Sequence, residues 1–238
     1  FNFFEAVTCY LNNSNRVRGM EVSYLIPVAF IRPVEFALGS PDNVVLGIGM
    51  KFKASPKQIF YTQIMLDDMD VAAARKGKGF YRTKVAAQFG YKGYDLFKVK
   101  HLDFQTELNL VRPFVYAHKA PEQSYTNYNQ SLAHPLGANF LESVTFINYW
   151  YKHWTASAKL QFAVQGRDAN FEHNGSNIFL SDYLIAPNLG TAYNNTFLQG
   201  VKTRLINVEA RGGYLINPKI NLAIEAFVNY RYVKNTNI

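Results

Sequence analysis

One cysteine, Cys9, stands in a chain of 238 residues. A single thiol excludes a disulfide framework and any metal site built on cysteine pairs. Its neighbours of equal parity, Val7 and Leu11, mark it as an ordinary packing residue. No stretch approaches eighteen consecutive apolar residues, so no transmembrane helix is encoded. Charge is sparse as well, at 18% of residues against about 25% in an average soluble domain. Catalytic signatures are missing: there is no P-loop, no nucleophile elbow and no dinucleotide-binding glycine pattern. The histidines, His101, His118, His134, His153 and His173, do not recur at metal-ligand spacing. His118 and His134 share one long link, the one pairing a metal or an acid–base couple would have to use. Asp67, Asp68 and Asp70 lack the spacing of a calcium loop and read as the start of a solvated loop. The expectation is a protein that is not an enzyme and has no metal or other cofactor. The formal charge of +8 comes from scattered Lys and Arg. The nearest cluster, Arg75, Lys76 and Lys78, reads as solvated loop, so no nucleic-acid partner is expected.

What is present is alternation. From Trp154 to Arg167 the even positions are Trp154, Ala156, Ala158, Leu160, Phe162, Val164 and Gly166, while the odd ones are polar except Ala163. A strand sends alternate side chains to opposite faces, so this segment is a strand with one apolar and one polar face. It exceeds the usual strand length of about five or six residues. It suits a strand crossing a bilayer at a tilt, which takes about 9–11 residues. The same reading gives further long strands at 1–11, 44–53, 58–68, 81–94, 101–116, 140–152, 200–216 and 219–234. Aromatic residues reach 16%, as suits strands and membrane-interface belts.

The links between these strands alternate short and long from 54–57 to 217–218. Tight turns at one end and large loops at the other are the pattern of outer-membrane barrels. The expected fold is therefore all-β, an antiparallel transmembrane outer-membrane β-barrel with long loops extracellular. Residues 1–238 read as one barrel segment. Single-chain bacterial barrels have even strand numbers, so nine strands are expected to be a piece of about 9–10 strands from a larger barrel, incomplete at both ends. No initiator Met or signal peptide is visible. Residues 20–43, with Pro27 and Pro33, fit a loop or a segment folded into the lumen better than a central strand.

The polar faces carry Lys51, Lys53, Lys84, Lys92, Lys159, Arg167, Arg211 and Arg231 against Asp103, Glu107, Glu209 and Glu225. A salt-bridged lumen with some positive excess is expected, with a basic surface for an anionic polysaccharide as the sharper alternative.

Two segments are more specific. One runs from Tyr24 through Arg32-Pro33-Val34-Glu35-Phe36 to Gly47, and includes Gly39-Ser40-Pro41-Asp42-Asn43. The other is Asn127-Tyr128-Asn129-Gln130-Ser131-Leu132-Ala133-His134-Pro135-Leu136-Gly137-Ala138-Asn139-Phe140, preceded by Arg112-Pro113. Together they resemble the Wzi-type capsule-assembly family, closest to its Bacteroidetes RemB-like gliding-motility branch. The resemblance implies a large outer-membrane β-barrel that either holds capsular polysaccharide at the surface of a Gram-negative cell or serves gliding motility and adhesion. It transfers no sugar-contact residue individually. Physically, Arg32 and Glu35 suit a charge pair orienting a folded-in loop. The second segment reads as a turn in which Gly137 and Asn139 take unusual backbone angles. Tyr125, Tyr128 and His134 are the candidates for stacking and hydrogen bonding to sugar, and Arg32 and Glu35 join them as candidate ligand contacts. The expected partners are outer-membrane lipid, an anionic surface polysaccharide and other outer-membrane or surface proteins. A structural subunit of a secretion or gliding complex and a diffusion pore are the alternatives.

Overall fold

The computed structural model describes residues 1–9, 12–13, 16–17, 24, 42–68, 70–168, 172–183 and 192–236. Nine long strands form a single antiparallel sheet in chain order, each paired with its sequence neighbours. They are β1 (Asn2–Thr8), β2 (Asn43–Ser55), β3 (Gln58–Asp68), β4 (Lys84–Gly93), β5 (Leu102–Val111), β6 (Phe140–Tyr151), β7 (Trp154–Arg167), β8 (Val201–Asn217) and β9 (Leu222–Asn235). The nine strands read from alternation are therefore present, and the links do alternate. Two residues separate β2 from β3 and β6 from β7, whereas 28 residues separate β5 from β6. Among the described residues β1 and β9 do not pair, so the sheet is open and no barrel closes.

Boundaries differ from the alternation reading at four strands: β1 stops at Thr8 and β9 begins only at Leu222. The strand expected over 81–94 begins only at Lys84, and the one expected over 101–116 stops at Val111. Pro113 cannot donate to a ladder, and Phe114 and Tyr116 take φ of 65° and 71°, which no strand accommodates. The expected solvated loop at 70–78 holds a short helix, α1 (Val71–Arg75), with Asp70 accepting from the Ala73 N–H at 2.9 Å as its N-cap.

Register places side chains in rows, and the rows sort by polarity. One face runs through Met50, Thr62, Phe89, Leu108, Ser143, Phe162, Ile206 and Tyr232. The next row on that face is Phe52, Phe60, Tyr91, Thr106, Thr145, Leu160, Val208 and Tyr230. The opposite face carries Asn2, Gly49, Gln63, Gln88, Asn109, Glu142, Ala163, Leu205 and Val233 in one row.

Burial inverts the arrangement of a water-soluble sheet. The apolar face is the exposed one, with Trp154 61% and Phe162 49% accessible. The polar face is the covered one: Glu142, Asn109 and Asn207 are buried. The covering comes from two of the long links, 112–139 and 168–200. Val115, Tyr116, Ala138 and Ile178 from these links pack on Val45, Met65, Ala86, Val111 and Phe140 of the sheet. The buried apolar core is thus small and lies at the long-loop end of the covered face.

Asn139 pins this covering. It takes φ 58°, and Gly137 takes 71°, as the turn chemistry of the second segment predicts. Its amide donates to the carbonyls of Gly166 at 2.7 Å and Gln199 at 2.9 Å and accepts from the Leu198 N–H at 2.8 Å. One side chain thereby ties β6, β7 and the link before β8. Asn139→Ala is expected to lower stability by about 2–4 kcal/mol, through several lost buried hydrogen bonds and an unfavourable left-handed alanine. Equilibrium denaturation in detergent micelles measures it.

Candidate functional site

The covered face carries a continuous hydrogen-bond network across five strands. Tyr61 on β3 donates to Glu107 on β5. Its ring lies across Gly90, its register partner on β4, where any Cβ would collide with it. Gln105 reaches Glu107 at 2.7 Å, and Gln88 bridges Glu107 at 3.3 Å and Asn109 at 3.0 Å. Asn109 then donates to Glu142 at 2.9 Å. Glu142 is the hub, receiving also Gln161 of β7 at 2.7 Å and His134 Nε2 at 2.9 Å. His134 Nδ1 accepts the Leu136 N–H at 3.2 Å, which leaves Nε2 to donate to Glu142.

A second buried cluster closes the long-loop end. Lys84 is fully buried, with Nζ 2.6 Å from both Asp182 Oδ2 and the Ala117 carbonyl. Asp67 beside it accepts from Asn43 at 3.2 Å and from the Tyr116 N–H at 2.8 Å. The three acids at 67–70 therefore do not begin a solvated loop. Asp67 is buried, Asp68 pairs with Arg82 at 2.7 Å, and Asp70 caps α1. His118 binds Gln123 at 2.9 Å rather than His134. Burial, then the nearby Lys84 charge, push the His118 imidazole below its ordinary value.

Beyond Glu142 the network opens into a trough of about 660 Å³ lined by Glu107, Lys159, Asn207, Glu209, Asn229 and Arg231. It continues into a cleft of about 740 Å³ beside Arg167, Asp168 and His173, the two sharing Pro135, Leu136, Leu205 and Arg231. The expected cross-strand ion pairs occur twice, Lys159–Glu209 at 3.9 Å and Arg211–Glu225 at 3.7 Å. Arg167 and Arg231 have no acidic partner within 4 Å among the described residues. Asp168 organises the cleft wall, accepting from the backbone N–H groups of Asn174 at 2.5 Å and Asn177 at 3.1 Å beside His173 Nδ1 at 3.3 Å. Among the described residues no group of three or more His, Cys, Asp or Glu side chains gathers as a metal site.

The candidate residues read from the sequence divide. Tyr125 and His134 meet in a smaller pocket of about 260 Å³ at the core. Tyr125 stacks on Tyr116 at 6.1 Å, and His134 lies 4.4 Å from the Phe140 ring, so both have structural work. Tyr128 is apart from them, 93% exposed at the tip of a hairpin pairing Thr126–Asn127 with Gln130–Ser131. Its φ of 46° and that of Asn129, 58°, suit the tight two-residue turn. Arg32 and Glu35 lie outside the described residues, as does most of 20–43. From that first segment Tyr24 donates to Asp42 at 2.7 Å. The hub Glu142 escaped the sequence reading because it shares its face of the strand with the apolar Phe140, Val144 and Phe146. Its register partner Asn109, and beyond it Gln88, are set only by the strand pairing. Asp182 had none, since its partner Lys84 is 98 residues away.

The chain matches no protein-family model, no curated protein and no solved structure.

Two outcomes follow from these clusters. Lys84→Ala leaves Asp182 and Asp67 buried beside no cation, and a loss of about 3–5 kcal/mol is expected, read by denaturation and by new protease cleavage within 112–139 and 172–183. For Asp168, burial raises the carboxyl pKa, but the His173 contact and the backbone N–H groups outweigh it and hold the group below its ordinary value. A depressed carboxylate contributes stability that is present above its unfolded value, about 3.9, and is lost as pH falls through the folded value. Amide exchange at Asn174 and Asn177 should therefore accelerate below about pH 4, and Asp168→Asn should remove that step.

Proposed function

We propose that this chain builds the wall of an outer-membrane β-barrel and that its covered polar trough holds an anionic surface polysaccharide, as the resemblance to the Wzi-type capsule-assembly family implies. The inverted sheet carries this reading. An exposed face of Phe, Leu, Ile, Val and Tyr beside a hydrogen-bonded polar interior is unfavourable in water and favourable in lipid. The rows from Trp154 to Val164 rise roughly 33 Å along the strand, and at a tilt of about 40–45° they span about 25 Å of height. That matches the apolar band of such barrels. Tyr149, Tyr151, Trp154 and Tyr214 share the exposed face at the short-turn end, where an interfacial aromatic girdle belongs. Strand β9 is exposed along its whole length. In lipid the free edges of β1 and β9 need further strands against them.

The trough suits a polyhydroxylated anion because amide donors, carboxylate acceptors and unpaired guanidinium groups line one groove. Tyr128 at its exposed hairpin tip offers an aromatic face to sugar. The protein is expected to stay with the membrane pellet in high salt and to require detergent for release. Release by salt alone sinks the membrane reading. In detergent, Arg167→Gln with Arg231→Gln should weaken retention on an acidic polysaccharide about tenfold or more, a salt-sensitive loss. Unchanged retention sinks the polysaccharide reading while leaving the barrel standing.

A further inference from the structure

Charge on the exposed apolar face is confined to the long-loop end. From the row of Phe162, Ile206 and Tyr232 down to the short-turn end, the face has no Asp, Glu, Lys or Arg on any of the nine strands. One row above, at the long-loop end, Arg204 and Lys234 are direct cross-strand partners. Lys202 lies two residues further along β8 on the same face, where its carbonyl accepts the Thr236 N–H at 2.8 Å. All three side chains are exposed. Glu5 on β1, an acid on this face near the long-loop end, is seven strands from β8.

We infer that Lys202, Arg204 and Lys234 form a clamp for the phosphate groups of a phosphorylated lipid headgroup in the leaflet at the long-loop side. The clamp rests on the membrane reading and adds a lipid partner to it. Like charges facing each other across a strand pair destabilise the sheet. Their Cβ atoms lie about 4.5–5.5 Å apart, and no acid within 4 Å offsets the repulsion among the described residues. An anion between them removes that repulsion. The apolar rows immediately below select its source. Phe162, Ile206 and Tyr232 present a surface for acyl chains just where the cations present one for phosphate. A protein or nucleic acid anion would have to lie on the same exposed hydrocarbon-like face, which it does not match. Two cations on adjacent strands with a third two residues away suit a headgroup bearing two phosphates better than a single-phosphate headgroup.

The test uses the whole chain reconstituted into phosphatidylcholine vesicles, with and without a tenth of the lipid replaced by a diphosphorylated glycolipid. The comparison is with the Lys202→Gln, Arg204→Gln, Lys234→Gln triple variant. Flotation with pure phosphatidylcholine vesicles checks the membrane reading by itself, and both proteins should float. If neither floats, the membrane reading falls and the clamp with it. Given flotation, the wild type should retain the glycolipid through detergent solubilisation about a hundredfold more strongly than the triple variant, at about one factor of five per cation. A Lys202→Arg, Lys234→Arg variant should keep the retention. Equal retention by wild type and triple variant overturns the clamp. So does displacement of the glycolipid by millimolar inorganic phosphate, which would show a free-anion site rather than a lipid one.

Discussion

A strand that alternates polar and apolar residues has two ways to fold, and all nine strands here turn the apolar row outward. Everything on the other face depends on that choice. A polar side chain removed from water without a partner loses about 1–3 kcal/mol, and a charge loses more. The covered face must therefore satisfy itself, residue by residue. Glu142 does so with three donors drawn from β5, β7 and the link before β6. Each partner reaches the carboxylate through a directed hydrogen bond. Such a hub fixes the mutual positions of neighbouring strands more tightly than apolar packing would, because each partner has one geometry.

The small apolar core at the long-loop end follows from the same constraint. The sheet's polar face offers little to bury, so the links bring their own apolar residues, and Val115, Ala138 and Ile178 dock on the few apolar positions available. Lys84 sits at the edge of this patch and ties both covering links, to Asp182 from one and to the Ala117 carbonyl from the other. A buried ion pair contributes little net stability relative to a hydrophobic replacement, yet it is costly to break. In this docking of the two links the ammonium is satisfied from both.

The two ends of the exposed face differ in chemistry. The short-turn end is aromatic, with Trp154 and Tyr214 rings 4.8 Å apart. The long-loop end is cationic. A symmetric slab would give no reason for that polarity, whereas an asymmetric bilayer does, so the two ends orient the proposed barrel as well as the strand directions do. The polar trough opens toward the cationic end, where Arg167, without an acidic partner among the described residues, is the last residue of β7.

Alternation alone determined a great deal of this protein. The nine strands, the face of each residue and the short and long links were legible because period two is a local property, read two residues at a time. The turn at Gly137 and Asn139 was legible for the same reason, since left-handed backbone favours those residue types. What the alternation left open was which long-range partners each polar residue would find. Asp67 reads as loop until Tyr116, 49 residues on, supplies its N–H. Nothing local tells that His134 meets Glu142, which it does at 2.9 Å. Those assignments were decided only by tertiary structure, because a hydrogen bond between distant strands depends on register and loop docking, and neither is written in any single segment.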